Sequence, residues 1–151
     1  MRMVWDASRG CFDIALTKSG GVDASDPLSG AVIVSLFTDR TADPSEMTPD
    51  LGTDRRGWWA DASKPVERRM GSLLWTEYRQ KKSDAVRRRI ESKAKAALAW
   101  LVEDGAAASV DVVASFPRDR PEWIALQVVV VEPSGIRRDW KLDVLWAAYR
   151  N

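Results

Sequence analysis

Residues 83–105 read SDAVRRRIESKAKAALAWLVEDG. Val86, Ile90, Ala94, Ala97, Leu98 and Leu101 recur at spacings of three and four and so share one face of a helix. Ser83 is a good N-cap, because its hydroxyl can accept from an otherwise unpaired N–H of the first turn. Gly105 supplies the stop. The stretch therefore predicts a long helix from Asp84 to Asp104. Arg87–Glu91 and Glu91–Lys95 are opposite charges at i,i+4 on its outer face, each contributing about 0.2–0.5 kcal/mol.

Three strands are expected after this helix. From Ser109 to Phe116, Val110, Val112, Ala114 and Phe116 alternate onto one face. Residues 122–132 are nearly all apolar, which predicts a central strand covered on both faces. Pro133-Ser134-Gly135 is a tight turn, and residues 136–147 return with Trp140, Leu142, Val144 and Trp146 on one face. Connections this short favour antiparallel hairpins.

Before the helix, residues 10–17 alternate as a strand and Lys18-Ser19-Gly20-Gly21 turns the chain. Asp26-Pro27 is a helix start for the run 28–39, although the β-branched trio Val32-Ile33-Val34 leaves a strand open as the alternative. Residues 40–56 hold Pro44 and Pro49 and form a surface loop. A short helix is expected over residues 71–79, with Leu74 and Tyr78 on one face. The fold class is α+β: an N-terminal strand, two or three helices including one long helix, then a C-terminal three-stranded antiparallel meander. The 151 residues suit a single domain, 1–151.

Composition removes whole classes of chemistry. Lys plus Arg is 23 against 22 Asp plus Glu, so the net charge of +1 gives no global attraction to nucleic acid or anionic membrane. There is no His, and Cys11 is the one Cys. Imidazole bases, Ser–His and Cys–His pairs, His metal ligands, thiolate zinc sites and internal disulfides are all excluded. No phosphate loop or dinucleotide fingerprint occurs, so neither cofactor nor metal is expected. The N-terminal residues lack an apolar core segment and no apolar run approaches membrane length, so secretion by signal peptide and membrane spanning are not expected.

Two residual chemistries can be written down. A glycosidase needs two carboxyls across a cleft, one with a raised pKa, and Asp54, Asp61 and Glu67 flank an aromatic loop. A nucleic-acid module could use Arg79, Lys81, Lys82, Arg87, Arg88 and Arg89. However, three consecutive arginines spread over about 200° of a helix rather than one face, and Asp84 and Glu91 dilute them.

A different signal stands at Arg55-Arg56-Gly57-Trp58-Trp59. Arg and Trp dominate binding hot spots, and Gly57 permits a sharp turn or close packing. The chain holds eight Trp, a residue type enriched at interfaces. Arg55, Arg56, Trp58 and Trp59 are the expected partner contacts. Trp140 and Trp146 are added to them on a C-terminal sheet that no later element covers.

Five blocks carry a family resemblance. They are CFDIAL (11–16), AVIVSLFTDR (31–40), DRRGWWAD (54–61), GSLLW (71–75) and AALAWLVEDG (96–105). Together, and in this order, they resemble the tail proteins of Mu-like phages encoded by gene 46, over about residues 10–146. The resemblance implies a structural component of a contractile phage tail baseplate, similar in role to gene-25-like wedge proteins. It implies a wedge subunit present in multiple copies, whose partners are other baseplate wedge proteins and the tail sheath. It also implies location in the bacterial host cytoplasm during assembly and then in the virion tail, and a structural role rather than an enzymatic one. The wedge relatives carry a Glu-Pro-Arg signature that contacts neighbouring subunits, and that triplet is absent from the middle of this chain.

Overall fold

The computed structural model describes residues 2–6, 11–21, 23, 25–120 and 123–145. The expected long helix forms and is the spine of the fold. In chain order, β1 (Met3–Asp6) and β2 (Cys11–Ile14) make a hairpin, and α1 spans Pro27–Phe37. The spine is α2 (Asp84–Leu98), continued by α3 (Trp100–Glu103). The sheet β3 (Ser109–Ser115), β4 (Trp123–Val131), β5 (Arg137–Leu145) follows, antiparallel throughout and in that order.

The Ser83 hydroxyl accepts from the Val86 N–H at 3.2 Å, and every residue of the apolar stripe is buried. The expected single helix is bent at Ala99, whose N–H reaches back only three residues to Ala96 at 3.4 Å. That tighter turn shifts the hydrogen-bond ladder by one step. Gly105 ends the helix at φ 74°. The Arg87–Glu91 pair forms at 2.8 Å. Glu91–Lys95 does not, and that expectation is corrected. Glu91 instead accepts from the Ala114 N–H at 2.9 Å and Lys95 pairs with Asp111 at 2.6 Å. Both side chains tie α2 to β3 rather than to each other.

The meander corrects a second expectation. Ile124, Leu126, Val128 and Val130 of β4 are buried, whereas Ala125, Gln127, Val129 and Val131 are only half-buried. Their register partners on that second face include Asp111, Val113, Asp139 and Lys141. The central strand is thus covered on one face, as an antiparallel sheet with helices on one side allows. Trp140 lies opposite Val128 and packs at the margin of the main core.

Toward the N-terminus, the expected strand 10–17 is the second arm of a hairpin whose first arm, Met3–Asp6, offered too few residues to show a period. The run 28–39 is helix, not strand. Asp26 accepts from the Ser29 N–H at 3.1 Å, Pro27 fills the first position, and the chain turns extended at Thr38. Val32 and Ile33 are buried there, so packing outweighs the β-branched preference. The short helix expected over 71–79 is a 3₁₀ turn, Leu74–Glu77. Residues 40–56 form the expected loop, with 3₁₀ turns at Pro44–Glu46 and Pro49–Leu51. The loop is nonetheless anchored, because Ala42 is fully buried with Leu73 and Trp75 in a second small core.

Candidate functional site

The Arg-Arg-Gly-Trp-Trp segment is built on residues 39–43. The Ala42 N–H donates to the Arg55 carbonyl at 3.0 Å, and the Arg55 Nε donates back to the Ala42 carbonyl. A terminal nitrogen of Arg55 lies 3.6 Å from Asp43. Arg56 then enters the left-handed region at φ 52°, with its N–H held by Asp54 at 2.8 Å. Its guanidinium pairs with Asp39 at 2.6 Å and sits 4.7 Å above the Trp75 ring. That ring is 2% exposed and donates to the Arg40 carbonyl at 3.0 Å. Gly57 follows at φ 95°, and a Cβ there would fall 1.8 Å from the Thr41 hydroxyl oxygen. Two consecutive left-handed residues therefore turn the chain sharply, and only glycine fits at the second.

The turn divides the four predicted contact residues. Both arginines are engaged by the chain's own carboxylates, carbonyls and an indole face. The two tryptophans emerge at the surface: Trp58 is 41% and Trp59 83% exposed. Their rings meet edge to face at 5.9 Å, and the Lys64 ammonium lies 5.1 Å from the Trp58 ring. An open groove of about 790 Å³ runs beside them, lined by Thr38, Asp39, Asp54, Arg56, Trp58 and Met70. Trp140 belongs to the margin of the main core, whereas the loop sits over the second one. Trp146 lies outside the described residues.

Of the acids flanking this loop, Asp61 is held as a structural carboxylate rather than as a general acid. Asp61 is 2% exposed, accepts from the Met70 N–H at 2.8 Å and pairs with Lys64 at 2.9 Å. Burial pushes its pKa up, but the Lys64 and Met70 hydrogen bonds outweigh burial and hold it below the ordinary carboxylate value. A general acid needs the opposite shift. Asp54 is exposed and serves the Arg56 N–H, and the Glu67 side chain lies outside the described residues.

Four of the six basic residues are likewise engaged internally. Arg79 donates to the Asp50 carbonyl at 2.6 Å, Lys82 to the Trp123 carbonyl at 3.1 Å, and Arg87 pairs with Glu91. Arg89 joins a cluster that sequence reasoning missed. Glu77, 4% exposed, receives Arg89 on both oxygens at 3.1 Å and Lys93 at 2.6 Å. Burial raises its pKa, and the hydrogen bonds from Arg89 and Lys93 more than reverse that. A signal was present: Arg89 and Lys93 are like charges at i,i+4, an adverse pair unless a counter-ion sits between them.

Comparison with known proteins shows the family. A family model described as phage protein GP46 matches residues 28–137. Baseplate protein gp46 of Escherichia phage Mu is 35% identical over 137 residues, covering 89% of this chain and 88% of the Mu protein. The Mu-like prophage FluMu protein gp46 of Haemophilus influenzae is 36% identical over 123 residues, covering 78% of this chain and 82% of the relative. With helix α1, the tryptophan loop, α2 and most of the meander inside the matched region, the chain belongs to the phage GP46 protein family.

Proposed function

We propose that this chain is a structural subunit of a phage tail baseplate, acting as a wedge component that joins neighbouring wedge proteins and the start of the sheath. The observation that carries the reading is similarity to a Mu baseplate protein across nearly the full length of both chains. The geometry supports an assembly role. Trp59 is an aromatic side chain held almost wholly in solvent by a sharply turned loop, an arrangement that costs exposed apolar area unless a partner covers it. Among the described residues, strand β5 ends the sheet with only β4 beside it in the order, so its outer edge can accept a strand from a partner. In this reading Trp58 and Trp59 make the contact, Arg55 and Arg56 shape the loop, and Trp140 and Trp146 belong to the sheet-edge contact. The subunit acts as one domain, is present in multiple copies, catalyses no reaction, and moves from the host cytoplasm into the tail.

The test is co-expression with the proteins encoded beside it. Trp59→Ala is expected to leave the melting temperature of the isolated chain unchanged and to abolish co-purification with baseplate neighbours and incorporation into tails. Normal incorporation of that variant into tails would remove the loop from the contact. Failure of the wild-type chain to join any tail particle would overturn the reading itself.

A further inference from the structure

A second concavity lies beyond Met70. Helix α1, the end of α2, α3 and the segment 64–71 enclose a cleft of about 340 Å³. Room exists between the helices because Ala31 and Ala97 face it with single methyl groups. The Trp100 indole forms one wall and is fixed by donating to the Ser35 hydroxyl at 3.0 Å. Among the described side chains, the rim carries three cations, Lys64, Arg68 and Arg69, against one lining acid, Asp104.

These cations differ in how firmly they are held. Lys64 is neutralised by buried Asp61 at 2.9 Å. Arg69 donates to the Lys64 carbonyl at 3.3 Å and, among the described side chains, has its ion-pair partner Asp43 only at 4.0 Å. Arg68 is paired with Asp104 at 3.3 Å, with both side chains largely in solvent, and such a pair is readily exchanged. A carboxylate arriving at the mouth would therefore meet two guanidinium groups with weak existing partners. The exposed Met70 side chain lines the cleft and is shared with the neighbouring groove that holds exposed Trp58, so the occupant arrives as part of a larger apolar surface rather than as a free small molecule.

We propose that this cleft receives an apolar side chain of a partner polypeptide whose adjacent residue is acidic, the carboxylate bridging Arg68 and Arg69. The proposal does not depend on Trp59 being a docking residue.

The experiment follows the indole N–H resonance of Trp100 in the full ¹⁵N-labelled chain, assigned through Trp100→Phe. Three short synthetic peptides are titrated: one alternating leucine and glutamate, one with lysine in place of glutamate, and one with serine in place of leucine. Only the leucine–glutamate peptide is expected to move the resonance saturably. Arg68→Glu, a surface change, is expected to weaken that binding about tenfold, and Val34→Phe to abolish it by filling the cleft, with the melting temperature confirming its fold. An equal response to the lysine peptide, no response to the glutamate peptide, or undiminished binding by Arg68→Glu would overturn the proposal. Shifts confined to the Trp58 and Trp59 indoles would also overturn it, while leaving the loop's role standing. A Trp100 shift with chain concentration alone would make a second copy the occupant and reject an acidic partner.

Discussion

Glu77 shows how much a single residue can carry. It is buried between the 3₁₀ turn and α2, with Arg89 and Lys93 both on its carboxylate. Removing one member of a buried ion cluster costs more than the cluster contributes, because the remaining charges lose their counter-ion. Glu77→Gln is expected to cost about 3 kcal/mol in chemical denaturation, near the lower end for such a loss because Arg89 stays half exposed. Gly57 carries a steric constraint instead. Gly57→Ala must place a methyl group against Thr41 at a left-handed φ, and is expected to displace the loop and change the emission of Trp58 and Trp59. Gly135→Ala serves as its comparison: the same substitution at φ 85°, but with open space around the new methyl group, should leave that emission unchanged.

At the scale of elements, α2 is the part whose loss is felt everywhere. Its stripe meets α1, Leu74 of the 3₁₀ turn and the inner face of the sheet in one core. Leu98 is fully buried within it. Leu98→Ala is expected to cost about 2–5 kcal/mol, measured as a lower denaturation midpoint at unchanged slope. The helix is also tied to β3 by polar links, Glu91 to the Ala114 N–H and Lys95 to Asp111. These links occupy part of the β3 side of the sheet, whereas among the described residues no helix packs comparably along β5. Strand addition by a partner is therefore argued for β5.

For the whole molecule, the buried carboxylates set the response to acid. Glu77 and Asp61 are both held below their ordinary values, so the folded state binds fewer protons than the unfolded chain in that range. Their contribution is present above the unfolded carboxylate pKa and is lost as pH falls through the lower folded values. Stability is expected to be flat near neutrality and to decline below about pH 4. Glu77→Gln should reduce the steepness of that decline, as followed by thermal melting across a pH series. An unchanged slope would show that Glu77 does not titrate with unfolding.

Much of the fold was legible in the chain itself. Long-range order was not needed to recognise α2, because Ser83, a six-residue apolar stripe and Gly105 are local signals that agree. The meander was legible for the same reason, through strand alternation and a Pro-Ser-Gly turn. The DRRGWWAD block was recognisable as distinctive without any structure. What the tertiary structure alone decided concerns partners distant in sequence. It determined that β4 is covered on one face, that Glu91 serves a strand and not Lys95, and that Glu77 sits between two cations of α2. It also separated Arg55 and Arg56, held from within, from Trp58 and Trp59, left in solvent. Periodicity reports which residues share a face, but solvent exposure and charge pairing depend on what the rest of the chain brings to that face.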